Sequence, residues 1–278
     1  MNPKYPIYIP TKGRWESRQT IRAFDKIKVP YSIVVEPQEY KKYAEFVDDK
    51  KIITLPWTKP NTNTELVKTR NWIKEHSISL GAKRHWQFDD NIVTFYRLNR
   101  NKRVRVTSGT IFRAAEDFVD RYTNVAISGF NYMGLARERN PKLPPFRLNT
   151  RIYSMSLVLN SIPHKWRGVY NDDTDICLRV LQDGWCTILF NAFLGDKTAT
   201  MTVKGGNTSI YQKDGRLKMA KSLQEQHPHV TRVTRKWNRW QHHVNYKPYK
   251  HNKLIKRKNL IVPEGINEYG MILKKRKD

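Results

Sequence analysis

Apolar and polar positions alternate in blocks along the first half of the chain, and the period of the alternation changes from block to block. PIYIP at 6–10, YSIVVE at 31–36 and KIITLPW at 51–57 are short runs rich in β-branched and aromatic residues and read as strands. Between them, 17–26 places Ile21 and Phe24 on one helical face, and 37–46 reads as a second helix. Thr62-Asn63-Thr64-Glu65 predicts a cap for a helix over 65–80 that Gly81 ends. HWQFDDNI, starting at His85, is the fourth strand. Strands separated by helices at this spacing predict βαβ units, hence an α/β domain around a mostly parallel, Rossmann-like sheet flanked by helices.

The middle of the chain is less regular. Residues 97–109 read as a basic connection, 110–122 as a helix, 125–131 as a strand, 133–150 as a proline-bearing loop and 151–160 as a strand. NDDTDICLRVLQDGW at 171–185 is a well-punctuated helix. Asn171 or Asp172 is placed to cap it, acids fill its first turn, and Gly184 stops it. A strand over 187–193 and a turn, KGGN, at 204–207 follow. A boundary near residue 210 separates this domain (1–210) from a C-terminal segment (211–278) of different composition.

In an open sheet of this kind, ligands bind outside the carboxyl ends of the strands. The fourth strand carries buried-type residues, Trp86 and Phe88, and then stops on Asp89, Asp90 and Asn91. Adjacent carboxylates repel and are costly to desolvate. One reading is a site for a hard cation, Mg²⁺ or Mn²⁺; the other is an Asx turn. Glu36 and the turn Thr11 to Arg14 should open onto the same crevice. Asp172, Asp173 and Asp175 stabilise a helix start without any chemistry, yet a carboxylate there can also project into a cleft as a general base.

Composition adds a partner. The 38% of hydrophobic residues, with 8 Trp, 14 Tyr and 10 Phe, are enough for a packed core. The net charge is +27, from 52 Lys plus Arg against 25 Asp plus Glu. Charge of that size self-repels and suits a polyanion, nucleic acid first. From 226 to 263 there is no acid, while Arg235, Lys236, Arg239, Lys247 and Lys250 interleave with Trp237 and Trp240. Cations among aromatics suit phosphate contacts and base stacking; alternatively the aromatics pack this segment down and the cations stay wet. Its five histidines lack zinc-finger spacing. No run of about 18 apolar residues suggests a membrane span, and the start has no signal-peptide pattern. Cys177 and Cys186 read as buried thiols, which fits a cytoplasmic protein.

In their order, YIPTKGR after strand one, VVEP ending strand two, Arg70-Asn71 on a helix, FDDN, and NDDTDICLRVLQDG resemble a glycosyltransferase of the GT-A fold over roughly residues 5–210. Within that superfamily the chain is similar to the phage TET/JBP-associated glycosyltransferases, relatives of the base J glucosyltransferase, and the tail is similar as well. The resemblance implies sugar transfer to 5-hydroxymethylpyrimidines in DNA, chiefly 5-hydroxymethylcytosine, from a UDP-sugar, UDP-glucose by default. It implies that Thr11, Lys12, Arg14, Glu36, Arg70 and Asp89 line the nucleotide-sugar pocket. Asp90 or Asn91 would meet a Mn or Mg ion, and Asp173 would be the catalytic base of an inverting displacement. The family's third acidic place is here Asn91, and GDKTATMTVKGGN supplies no histidine, so Lys197 or Lys204 is an alternative cation for the leaving diphosphate. A base buried in duplex must be flipped out to react, with Trp237, Trp240 or Phe130 filling the gap. The rival readings are a metal-dependent nuclease, a DNA-binding protein without activity, and a glycosyltransferase acting on an acidic polysaccharide.

Overall fold

Ile7, Tyr8 and Ile9 are fully buried, and their run of apolar residues forms the first strand of a ten-stranded sheet. The computed structural model describes residues 1–58, 65–99, 102–140, 143–199, 214–260 and 265. In chain order come β1 (Ile7–Pro10), α1 (Gln19–Lys26), β2 (Ser32–Val35), α2 (Tyr40–Ala44), β3 (Ile52–Thr54), α3 (Glu65–Ser79) and β4 (Arg84–Phe88). A short 3-10 turn, Pro37–Glu39, fills the first part of the expected helix at 37–46. The expected cap at 62–64, the KGGN turn and Lys204 lie outside the described residues.

The chain then departs from expectation. It turns at Asp89–Asn91 and returns as β5 (Ile92–Asn99), which pairs with β6 (Lys102–Arg105). The expected basic connection over 97–109 therefore contains paired strand. Its cations alternate along an outer edge, where one face of the ladder is wet, and that polarity hides the strand. Next come α4 (Thr110–Val119), β7 (Val125–Tyr132), β8 (Phe146–Leu148), β9 (Met155–Leu159), α5 (Asp172–Gln182) and β10 (Cys186–Lys197). The short β8 lies within the expected loop at 133–150 and pairs with β10.

The sheet runs β3-β2-β1-β4-β9-β7-β10-β5-β6. Its first four strands are mutually parallel. β9 lies antiparallel between β4 and β7, and β10 runs parallel to β7. This mixed α/β sheet flanked by helices is GT-A-like. Its core is aromatic: Phe24 of α1 packs on Phe88, Phe95 and Phe112 with centroids 5.1–5.5 Å apart. Phe130 is buried against Trp86 and Phe112. It belongs to the core, so it cannot fill a gap in a base stack as the sequence reading allowed.

The direction of each strand decides which ends share an edge. The carboxyl ends of β1, β2, β4, β7 and β10 and the amino end of β9 fall on one side of the sheet. Thr11–Arg14, Glu36, Asp89–Asn91, Tyr132, Lys197 and Ser154 are gathered there.

Beyond Asp214 the chain forms α6 (Gly215–Gln226) and a hairpin, β11 (Thr231–Lys236) with β12 (Arg239–Val244). Leu223, Val230 and Tyr249 share a core with Leu178 and Leu181 of α5. His227 donates to the buried Asp175 carboxylate at 2.8 Å, and Arg167 and Arg179 bond the same group. Asp175 therefore locks α5 to the C-terminal segment. Burial opposes its ionisation, but these donors outweigh burial and hold its pKa below the usual carboxylate range. Among the described residues no helix is long and apolar enough to cross a membrane.

Candidate active site

The turn after β4 is clamped before any ligand arrives. Thr20 of α1 donates through Oγ1 to the Asp89 carbonyl at 2.7 Å and accepts from the Ile92 amide at 2.8 Å. The Asp89 amide bonds the Ser154 carbonyl at 2.8 Å. The two carboxylates then diverge, each to its own cation. Asp90 pairs with Arg14 and accepts from Thr11 Oγ1 at 2.9 Å. Asp89 accepts from Lys197 Nζ at 2.7 Å, from Ser154 Oγ at 2.6 Å and from Arg70 at 3.4 Å. Each acid at the end of the buried strand has its own protein cation, yet for Asp90 burial outweighs Arg14 and Thr11 and keeps the pKa above the usual carboxylate range.

Lys197 reaches Asp89 through an irregularity. The β10–β5 register shifts between Asp196 and Lys197, so that Lys197 pairs with Ile92. Such a slip re-aims a side chain. The Lys197 ammonium also donates to Ser154 Oγ at 2.7 Å, and Ser154 Oγ shares a 2.7 Å bond with Tyr132 Oη. Ser154 holds a left-handed φ of 58°, a strained conformation of the kind that gathers at sites.

Across the crevice, α3 contributes Arg70, only 2% exposed. Its Nε lies 2.8 Å from Asp172, out of line for a hydrogen bond, and its Nη2 lies 3.4 Å from Asp173. Gln87 of β4 braces the guanidinium, accepting from it at 3.2 Å. Asp89, Asp172 and Asp173 thus converge on one arginine, which their charges keep ionised despite burial. The acids divide in character. For Asp89, burial is outweighed by Lys197 and Arg70, which hold the pKa well below the usual range. For Asp173, burial, reinforced by the charges of Asp172 and Asp89, prevails over Arg70 and pushes the pKa up to about 7. Carboxylates driven apart in this way mark acid–base sites.

α5 begins differently from the expectation. Asn171 sits at the cap position in a left-handed conformation, and its side chain donates to the Met219 carbonyl of α6 rather than capping the helix. The turn after β1 is equally fixed. Lys12 pairs with Glu36 at 3.0 Å, and Gln38 donates to the other Glu36 oxygen. Tyr43 Oη bonds Thr11 at 2.7 Å and accepts from the Arg14 amide at 3.2 Å. Both oxygens of Glu39 accept from the Gly13 amide at 3.0 Å.

All the expected residues of the nucleotide-sugar pocket, and Asp173, therefore lie along one edge of the sheet. Thr20, Gln87, Tyr132 and Ser154 were missed. Each is an ordinary strand or helix residue in the sequence, and only strand direction brings it to the crevice.

The expected metal ligands are Asp90 and Asn91. Asp90 is taken by Arg14 and Thr11, and Asp89 by Lys197, Ser154 and Arg70. Asn91 Oδ1 is buried without a hydrogen-bond partner. Among the described residues no group of three or more His, Cys, Asp or Glu is placed to hold a metal ion. This arrangement does not fit a hard cation, and no step of the reaction is routed through one.

The expected nucleic-acid residues are outside the crevice. Arg235, Lys236, Trp237, Arg239 and Trp240 are all exposed on the β11–β12 hairpin, and Lys247 and Lys250 are exposed on the 3-10 turn Lys247–His251. Trp237 is 84% exposed at the hairpin tip, and both it and Asn238 adopt left-handed φ, 50° and 57°. Arg235 lies over Trp240 at 5.7 Å and donates to Asn238 at 2.6 Å. Tyr246 and Tyr249 do pack inward, so only part of the aromatic content is structural.

The acid-lined crevice lies at the strand ends of a GT-A-like sheet. A comparison with known families identifies the class as glycosyltransferase: the TET-Associated Glycosyltransferase family matches residues 5–206, and the chain belongs to that family. The match ends before α6, so the basic hairpin lies beyond it. No curated protein matches the chain.

Proposed function

We propose that this protein transfers a sugar from a nucleoside diphosphate donor, UDP-glucose being the first to try, onto 5-hydroxymethylcytosine in DNA, with inversion. Asp173 carries this reading. It is a carboxylate at a helix start, facing Arg70 and held at a pKa of about 7, while Asp89 on the same arginine stays ionised. A base needs a pKa near the working pH.

The acceptor oxygen attacks the anomeric carbon and passes its proton to Asp173. The bond from that carbon to the phosphate oxygen breaks, and its electron pair leaves with the diphosphate. Lys197 and the cations of the first turn, Lys12 and Arg14, meet the developing charge. Arg70, surrounded by carboxylates, positions Asp89 and Asp173 instead of binding phosphate. A single displacement inverts the anomeric centre. The acceptor base must leave its duplex to reach the crevice, and the exposed hairpin supplies phosphate contacts and a ring to stack.

The test is a transfer assay. Hydroxymethylcytosine DNA and UDP-glucose are incubated with the protein, with Mn²⁺ or with EDTA, and the nucleosides are weighed by mass spectrometry. A hexose adduct that disappears with Asp173→Asn supports the reading. Tight DNA binding without any adduct, and without thermal stabilisation by any nucleotide sugar, overturns it in favour of a non-catalytic DNA-binding protein.

A further inference from the structure

We propose that the recess walled by Tyr132, Tyr153, Arg151 and Leu135 receives the acceptor pyrimidine itself, stacked on tyrosine. This rests on the transfer reading above and names the seat of its second substrate. Phe130, Asn131 and Leu189 complete the lining. The Tyr132 and Tyr153 rings lie within 25° of parallel with centroids 6.4 Å apart, and the Arg151 guanidinium lies 5.1 Å over Tyr153. Leu135, 57% exposed, forms the lip. Flat aromatic faces beside a guanidinium are how proteins hold an unstacked base.

Its position matches that role. The donor residues Lys12 and Glu36 sit at the ends of β1 and β2, whereas the recess sits at the ends of β7 and β9. The reacting acids lie between. From Asp89, the hydrogen bonds run through Ser154 to Tyr132 at 2.6 and 2.7 Å. From Asp173, the next residue, Thr174, bonds Tyr153 Oη at 3.0 Å. A base stacked against these rings is thereby tied to the catalytic carboxylate.

The experiment is steady-state transfer with the full chain, varying hydroxymethylated DNA at saturating UDP-glucose. Tyr153→Ala should raise the KM for DNA at least about tenfold, as expected from losing one stacking contact, and leave thermal stabilisation by UDP-glucose intact. Tyr153→Phe, which keeps the ring, should restore the KM. Leu135→Glu, at a surface position that does not threaten folding, should raise it as well. If the wild type transfers sugar while Tyr153→Ala and Leu135→Glu both keep its KM, the recess is not the acceptor seat and the transferase reading stands. If the wild type modifies no hydroxymethylated DNA, both fall together.

Discussion

Asp173→Asn is the most informative single change, because it separates catalysis from stability. Asparagine matches the shape of aspartate and removes the titration. The Asp173 carboxyl rises from its ordinary 3.8 to about 7, first through burial and then through Asp172 and Asp89. Below pH 4 it is protonated both folded and unfolded, and it contributes no pH dependence. Between 4 and 7 only the folded protein holds the proton, so stability falls as pH rises. Above 7 both states are ionised, and the folded protein carries the full penalty. At 1.36 kcal/mol per pH unit the ceiling is about 4 kcal/mol. The side chain keeps 19% of its surface in solvent, and screening reduces the expectation to about 2 kcal/mol. The variant should therefore melt about 4–8 °C above wild type at pH 8 and level with it at pH 4. Melts at pH 4, 6 and 8 measure this directly, and subtracting wild type from variant cancels the titration of the groups that do not interact with Asp173. A variant no more stable at pH 8 than at pH 4 would refute the premise that Asp173 is strained towards its neutral form. The same ionisation predicts that wild-type transfer rises with pH through about 7.

Three other outcomes follow from the packing and the surface. Gly195→Ala should cost about 1–3 kcal/mol in urea unfolding, because its Cβ would overlap Met155 Sδ beside the strand that carries Lys197. Asp175→Asn should cost about 2–3 kcal/mol at pH 7, by leaving His227, Arg167 and Arg179 without their shared carboxylate. That deficit should fade as the pH falls below the ordinary carboxylate range, since a depressed pKa stabilises only above it. Trp237→Ser should leave the melting temperature near wild type and weaken DNA binding by about 1–3 kcal/mol, measured by anisotropy at fixed salt.

The sequence made the alternating N-terminal half legible because its strands are buried and its helices separate them cleanly. It also supported the choice of Asp89, Arg70 and Asp173 as members of one crevice, through the order of motifs and the rule about strand ends. β5 and β6 were obscured because an edge ladder alternates cations with apolar residues and resembles a basic connection. Ser154 and Tyr132 were not legible because they reach the crevice only through the antiparallel insertion of β9, which no local pattern announces. The metal expectation at Asp90 and Asn91 came from residue type at a strand end and from the resemblance. Arg14 pairs with Asp90 and Lys197 with Asp89, partners distant in sequence that no local pattern announces.

The hairpin tip has a consequence for how this chain balances robustness against use. A two-residue turn with both φ positive is the natural seat of Asn-Gly, and a bulky aromatic ring there is held against its own conformational preference. Trp237→Gly would relax that turn and give a sturdier hairpin, while discarding a ring that is 84% exposed. Trp237 is thus a poor choice for the fold and a good one for contact. The rigid turn fixes the ring's direction, and only two side-chain torsions remain to be frozen when a partner arrives. A library screened for heat resistance alone would be drawn to remove this tryptophan, and would return proteins that survive better and, under the proposed function, hold DNA less well.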